Sequence, residues 1–458
     1  MTNHPRHLLH DISPLAPLGK RGKGVRVSPR TFELRLSSRW QAIVLLSASA
    51  LVSCFLAAES LRVGAAAFLA RSFDPRHLEQ AIRIDPANAA IHRRSGFCYL
   101  DSAEDLAPRQ AVREFRLATE LSPLETGGWT GLAEACEATR DQICADRAMA
   151  HALKLSPMAP RLDWLTALNF TVSSRPREAL PYFRRLLALD PGYAGSVFRL
   201  CPWSLDDPEF VLDQVLPKSS HAILKLDYVN YLADHGKNSA AVIVWNRLAA
   251  RHPSFPLSSA APFLESLLRS DQTREAQAVW QELEELGIIQ QPEPGASNII
   301  FNGGFERAPL NMGFDWRIQP SPDLFITREN EEHHRGYYAL RIDFTVPEND
   351  NHEPVYQLVP VLPDKHYRLA AYVRSDSITS GSGPRLQVRD PFCDTCLDRA
   401  TAPVTGSSPW HPLSLDFSTG ADTRLVRVSV WRPRSRSFPF EITGTLWLDE
   451  VSLVPIPS

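Results

Sequence analysis

The chain has 458 residues, 44% apolar and 22% charged, with a formal net charge of −3. That length is more than one hydrophobic core ordinarily serves, so two or three domains are expected. The near-even charge balance gives no general attraction to nucleic acid or acidic polymers, and any electrostatic function must be local.

Residues 1–39 are one local exception: Arg6, Lys20, Arg21, Lys23, Arg26, Arg30, Arg35 and Arg39 stand against Asp11 and Glu33. Their Pro and Gly content and lack of apolar periodicity predict a disordered basic arm. From Trp40 the chain reads WQAIVLLSASALVSCFLAAES, uncharged until Glu59, close to the roughly 20 apolar residues a helix needs to cross hydrocarbon. A transmembrane helix over 40–60 is therefore expected. The basic flank puts residues 1–39 in the cytoplasm and the rest outside, which implies a single-pass protein of a bacterial inner membrane with its bulk periplasmic. A cleaved signal sequence is the competing reading; the long leading arm and the lack of an A-x-A site weigh against it. LVSC, Leu51 to Cys54, also resembles the lipobox of bacterial lipoproteins, in which the Cys is acylated, but the continuation FLAA fits a spanning helix better.

Residues 61–287 are periodic. Four segments end in apolar-x-Pro, at Pro86, Pro123, Pro157 and Pro191, spaced by 37, 34 and 34 residues. Ahead of them recur Ala111, Phe115 and Ala118, then Ala145, Met149 and Ala152, then Ala179 and Phe183. Small residues let paired helices approach and large ones fill the space between neighbouring pairs. First-helix positions fit more loosely, with Gly96 and Tyr99 in one unit and Trp129 and Leu132 in the next. This pattern resembles the tetratricopeptide repeat, whose period is 34 residues. CPWSLDDPEF at Cys201 to Phe210 interrupts it; the register returns at Ala241, Trp245 and Pro253 and ends with Phe263, Leu267, Ala276, Trp280 and the terminator Gly287. An all-α solenoid of five or six helix pairs is expected, and the resemblance implies a protein or peptide partner. The histidines His92, His151, His221, His235 and His252 show no metal-ligand spacing and read as surface or interhelix residues.

Residues 288–297, IIQQPEPGAS, read as a linker. Beyond them, short alternating runs such as RLQVRD and LVRVSVWR predict an all-β jelly-roll sandwich of eight to ten strands over 298–458. NIIFNGGFE, HRGYYALRI, YQLVPVLPDKHYRLAAYVRS, WHPLSLDF and LWLDEVSLVP follow in the order found in carbohydrate-binding modules, whose galactose-binding-like jelly roll this half resembles. The resemblance makes NIIFNGGFE the opening strand and YQLVPVLPDKHYRLAAYVRS a central strand pair. It also implies one structural calcium held by Glu306 and Asp449, and a polysaccharide partner. Sugar recognition needs aromatic faces for stacking and polar groups for hydroxyls. From Trp316, Tyr356, Gln357, Tyr372, Arg374, Trp431 and Arg432, the best ligand candidates are Trp431 and Tyr356, with Gln357, Tyr372 and Arg374 beside them. Tyr367, Trp410 and Trp447 are expected in the core.

Seven cysteines in an exported chain invite disulfides. Cys136 and Cys144 flank a repeat turn, and Cys393 and Cys396 form a CDTC loop; local disulfides are expected at both. Cys98 and Cys201 read as buried thiols. No catalytic constellation is recognisable, so the expected function is a non-enzymatic envelope scaffold, with assembly of an extracellular polysaccharide as one setting. The alternatives are a glycoside hydrolase-associated protein, which would need two carboxylates about 5–10 Å apart in a cleft, and a structural or protein-binding sandwich without sugar affinity.

Overall fold

The computed structural model describes residues 39–102, 107–218, 221–290, 298–346, 349–436 and 438–457. Most of the basic arm and residues 291–297 of the linker lie outside them. The chain divides into two compact units, residues 1–123 and 124–458.

The first unit holds α1 (Arg39–Leu69), α2 (Pro75–Ile84), α3 (Ala89–Leu100) and α4 (Ala107–Leu121). At about 1.5 Å per residue, the 31 residues of α1 exceed the roughly 30 Å of a bilayer core. Its upper part presents Leu45, Leu46, Leu51, Val52, Phe55 and Leu56 outward, while the hydroxyls of Ser47 and Ser49 donate back to the carbonyls of Ile43 and Leu46. Among the described residues, α1 is the helix long and apolar enough to span a membrane. It does not stop where the apolar run stops. Arg62 pairs with Glu59 at 2.9 Å and donates to the Ile84 carbonyl at 2.7 Å and to Asp85 at 3.2 Å. Ala66 and Ala70 are buried against Leu78, Ala81, Ile91 and Cys98. The helix-favouring run after Glu59 carries α1 on into the globular layer, so the solenoid begins with the tail of the apolar helix rather than after it.

In α3, Gly96 faces α4: a Cβ there would lie 2.7 Å from the Phe115 ring, which also meets Phe97 edge-on. The absence of a side chain at Gly96 is what lets the repeat's large residue sit between the paired helices. Buried His92 bonds Glu114 of α4 at 2.7 Å and the Pro86 carbonyl at 2.9 Å. Its pKa is raised, first by the Glu114 bond, so it acts as an interhelix clamp.

The second unit continues with α5 (Thr126–Ala138), α6 (Gln142–Leu155), α7 (Pro160–Val172), α8 (Pro176–Leu189), α9 (Ala194–Leu200), α10 (Pro208–Phe210, prolonged by a π turn over Val211–Val215), α11 (Ala222–Asp234), α12 (Asn238–Ala249), α13 (Leu257–Arg269) and α14 (Thr273–Glu285). Cys136 of α5 and Cys144 of α6 are disulfide-bonded, Cα atoms 5.8 Å apart. Ala145, Met149, Ala152, Ala179, Phe183, Ala241, Trp245, Phe263, Leu267, Ala276 and Trp280 are all buried, as their repeat positions require. The stretch that breaks the sequence pattern forms the short α9–α10 pair, tied to α11 by the Tyr228 hydroxyl donating to the Ser204 carbonyl at 2.7 Å.

Ten strands follow: β1 (Arg317–Ile318), β2 (Leu324–Glu329), β3 (Ala339–Val346), β4 (His352–Pro360), β5 (His366–Ile378), β6 (Arg385–Arg389), β7 (Asp398–Ala400), β8 (Gly406–Ser418), β9 (Leu425–Arg432) and β10 (Ile442–Ile456). They form two five-stranded antiparallel sheets, β1-β4-β9-β6-β7 and β2-β3-β10-β5-β8, around a core of residues such as Leu340, Ile342, Val355, Val373, Val388, Val428, Leu446 and Leu448. Two sequence expectations are corrected. Asn298 to Glu306 is not a strand: its turns are held to β10 by Asn298, which exchanges bonds with Val451 and Leu453, and by Val451 N–H donating to Gly303. β4 and β5 are not a pair, because the chain crosses from one sheet to the other between them.

Helices and sandwich share a core within this unit. Phe301, Met312, Phe314 and Leu425 belong to the apolar cluster of α13 and α14, and Trp280 meets Phe301 and Phe314 edge-on at 5.3 and 5.6 Å. Glu265 of α13 accepts from Gly313 N–H at 2.8 Å and from Arg317 at 2.7 Å. The sandwich is docked on the last helix pair.

Candidate functional site

Successive residues of a strand point to opposite faces of its sheet. On β9, Val426, Val428 and Val430 fill the core, so Arg427, Ser429 and Trp431 face outward. Register aligns Ser429 with Tyr356 of β4 and Gln387 of β6, and Trp431 with Arg385; Tyr356 aligns with Arg317 of β1. The outer face of this sheet thus carries Trp431, Tyr356, Arg317, Arg385, Gln387, Arg389 and Arg427 together. Glu353 reaches across it to pair with Arg427 at 2.6 Å and Arg389 at 3.2 Å. The Arg427 guanidinium lies 3.5 Å from the Tyr356 ring centre, and burial holds its pKa below the usual arginine value, against the opposing pull of Glu353.

Over this face lies a groove of about 460 Å³ walled by Trp431, His352, Glu353, Gln387, Arg389 and Asp398. Asp394, inside the Cys393–Cys396 disulfide loop, forms part of its rim, and Asp390 fixes that loop by accepting from Phe392 and Cys393 N–H at 2.9 and 3.1 Å. Among the described residues, Arg317 Nη1, Glu353 Oε1, Arg385 Nε, Arg427 Nε and Ser429 Oγ are buried without a hydrogen-bond partner. Of these, only Glu353 walls the groove; the groove itself sets one aromatic face beside amide, guanidinium and carboxylate groups, a lining that suits a hydroxyl-rich ligand.

The other end of the same face is covered. Leu358 of β4 packs against the helical core and Leu425 of β9 belongs to it, while Arg317 is held by Glu265. The groove is therefore open toward Trp431 and closed toward α13.

The remaining sequence candidates separate. Gln357 is wholly buried and exchanges two bonds with the Phe301 backbone, at 2.8 and 3.1 Å; it anchors the turn that docks on Trp280 and is no ligand residue. Arg432 is equally buried and donates to the carbonyls of Asp350 and Phe440. Tyr372 and Arg374 share a face, but that of the opposite sheet, where Tyr372 stacks on His334 at 3.7 Å and Arg374 pairs with Glu332 while lying 5.0 Å from the Trp447 ring. Trp316, Tyr367 and Trp447 are buried. Trp410, expected in the core, instead lies half-buried on the outer face of the second sheet, 5.7 Å from His334, because it alternates with Leu413, Leu415 and Phe417, which turn to the core. Glu353, Arg389 and Arg427 escaped the sequence reading, although Arg427 and Trp431 differ by an even number of strand positions.

Glu306 and Asp449 come from the two ends of the sandwich and meet around Gly304, whose added Cβ would lie 3.8 Å from Glu306 Cγ and 3.7 Å from Asp449 Oδ1. Asp449 accepts from His334, Arg335 and Glu450 N–H, and Glu306 from Tyr337 and Tyr338 N–H. Burial raises the Asp449 pKa, against those three amides. Among the described residues no group of three or more His, Cys, Asp or Glu could hold a metal. Carboxylate oxygens are donors of the type a hard cation takes, but the contacts Glu306 and Asp449 make are with backbone N–H groups.

The helical half offers a second groove, of about 940 Å³, lined by Glu134 and Glu137 of α5, Met149 of α6, and Leu165, Leu168 and Val172 of α7. Burial, with Glu134 and Asp146 beside it, pushes the Glu137 carboxyl up to about 7. An apolar floor bordered by Glu134, Glu137 and Arg140 suits an apolar peptide segment with polar flanks.

No protein-family model matches the chain, and no curated protein matches it. Among solved structures it is similar to the tailspike protein 4 enzymatically active domain of bacteriophage CBA120, at 13% identity over 35% of this chain and 21% of that one, with a TM-score of 0.27; the chain thus spans about a fifth of that domain. It is similar to the CBM22-1 xylan-binding domain of Paenibacillus barcinonensis Xyn10C, at 15% identity over 34% of this chain and 93% of that one, TM-score 0.22. It is also similar to YrrB, described as a TPR protein with an unusual peptide-binding site, at 13% identity over 46% and 91%, TM-score 0.24. Likenesses this slight carry no functional information.

Proposed function

We propose that the chain is a non-catalytic binding protein of the cell envelope. In this reading α1 anchors it in the membrane with the arm cytoplasmic and the chain after α1 outside, the α5–α7 groove takes a protein segment, and the Trp431 face takes a short stretch of polysaccharide. One observation carries the sugar assignment: an open groove sets the Trp431 ring beside the polar side chains of Gln387, Arg389, Glu353 and Asp398. Sugars present both C–H faces that stack on such a ring and hydroxyls that such side chains bind.

Calcium belongs to the proposal as a structural ion between Glu306 and Asp449, where it would pin the first turn of the sandwich to its last strand. The oxidising compartment required by the two disulfides is consistent with export. The test is a glycan array probed with the full chain in detergent and with its Trp431→Ala variant. Binding to a polysaccharide class that the variant loses is the expected result; no glycan bound, or equal binding by the variant, would leave the sandwich as a structural or protein-binding domain.

A further inference from the structure

The interruption of the repeats builds a site that the sugar and peptide assignments leave unused. Where α10 passes through its π turn and meets α11 and α12, a pocket of about 400 Å³ opens, with Lys218, Lys225, Arg247 and Arg251 on its walls and Asp213 as its acidic residue. Val244 and Leu248 form an apolar floor. Arg247 bonds Asp213 at 3.0 Å; among the described residues, Lys218, Lys225 and Arg251 have no ion-pair partner. Arg184 of α8 adds a further cation at the margin, donating to the Asp213 carbonyl at 2.6 Å while its buried Nε has no partner. Lys218, Arg247 and Arg251 are exposed and Lys225 is half-buried; the Lys225 pKa is lowered, by burial first and then by Arg251 and Arg247. Asp213 and Gln214 of the π turn line the pocket beside Arg247 of α12.

We propose that this pocket binds a compact multivalent oxyanion, a phosphate or sulfate group carried by a small molecule. Four cations facing one carboxylate leave the lining strongly positive, and ammonium and guanidinium donors match the several oxygens of such a group. The volume admits a small ester rather than a folded domain.

The test is titration calorimetry of the full chain in detergent with pyrophosphate and, separately, with sulfate, at a constant ionic strength of about 0.15 M so that general screening is fixed. Saturable binding of at least one is expected, weakened about tenfold or more in Lys225→Met and in Arg251→Met. Asp213→Asn removes the opposing charge and is expected to tighten binding severalfold. Because Asp213 is exposed, this last variant keeps the test decisive if a lysine or arginine variant fails to fold. No saturation by either anion, or affinity unchanged across all three variants, overturns the proposal.

Discussion

The contact between helices and sandwich rests on Gly313, so Gly313→Ala is the sharpest test of the architecture. Gly313 has φ +59°, a region that costs an alanine about 1–2 kcal/mol. Its added Cβ would lie 2.1 and 2.6 Å from two atoms of the Trp280 ring and 2.8 Å from Leu264 Cδ2. Trp280 cannot yield without losing its edge-on contacts with Phe301 and Phe314, and overpacking of this kind costs about 1–3 kcal/mol. The two terms act through different causes, backbone strain and side-chain collision, so a loss of about 2–5 kcal/mol is expected in urea unfolding. Gly381, with nothing within 4 Å of an added Cβ, supplies the control: Gly381→Ala should change stability by no more than about 0.5 kcal/mol. A Gly313→Ala protein as stable as its Gly381→Ala counterpart would show that the sandwich is tethered to α14, not docked on it.

Three further outcomes follow from the sites. Trp431→Ala should weaken binding to any polysaccharide recognised by the full chain by about 2 kcal/mol, roughly thirtyfold in Kd, whereas Tyr372→Ala, on the opposite sheet, should leave it unchanged in the same affinity measurement. Glu137 has its folded pKa raised from 4.5 to about 7, so the folded state holds a proton that the unfolded chain releases near 4.5; stability contributed by that proton is present below this range and is lost as pH rises through about 7. Since the group is half exposed and screened, the decline between pH 5 and 8 should be about 1 kcal/mol, and Glu137→Gln should flatten it in urea titrations at the two pH values; an unaltered slope would locate the proton elsewhere. Calcium at about 100 times its Kd should stabilise the sandwich by about 2.7 kcal/mol, read as a thermal shift reversed by chelator and absent in Asp449→Asn; a shift of equal size in that variant would place the ion at another site.

The solenoid was legible because its punctuation is chemical: a recurrent apolar-x-Pro marks the turn after a helix pair, although Pro181 and Pro262 are carried inside α8 and α13, and the Ala and Phe positions ahead of those prolines recur at one spacing. What escaped was every feature set by contact between elements distant in sequence. In FLAAESLRVGAAAFL the charges at Glu59 and Arg62 mark the end of the uncharged run, but nothing shows that the same helix continues and packs on α2, since alanine suits exposed and buried faces alike. The Pro- and Gly-rich composition of 288–297 reads as a loose connection, yet Ile289 within it and Phe301 just after it are buried in one core. Nor does NIIFNGGFE reveal that it pairs with β10 through an asparagine side chain and turns, since its apolar residues fit a strand equally well.

The candidate site was half legible, and strand parity separates the halves. Tyr356 and Gln357 are neighbours, as are Trp431 and Arg432; adjacent strand residues face opposite ways, so only one of each pair can reach a ligand on a given face. The outward members are the two aromatics, while their inward neighbours hold backbone carbonyls and amides inside the sandwich. Parity cannot assign Tyr372 and Arg374, which share a face but lie on the other sheet, because a jelly roll exchanges sheets between consecutive strands and alternation is the same in both. The same limit applies along the groove. Leu358, Leu425 and Trp431 all point outward from one sheet, yet the first two are covered by α13 and α14, and only about 13 Å of face remains between Arg427 and the open end at Trp431. A sequence can mark a surface as outward; whether a ligand or a neighbouring domain occupies it is decided by docking. Here the helices take one end, which leaves room for a short segment of polysaccharide and not for a long chain crossing the whole sheet.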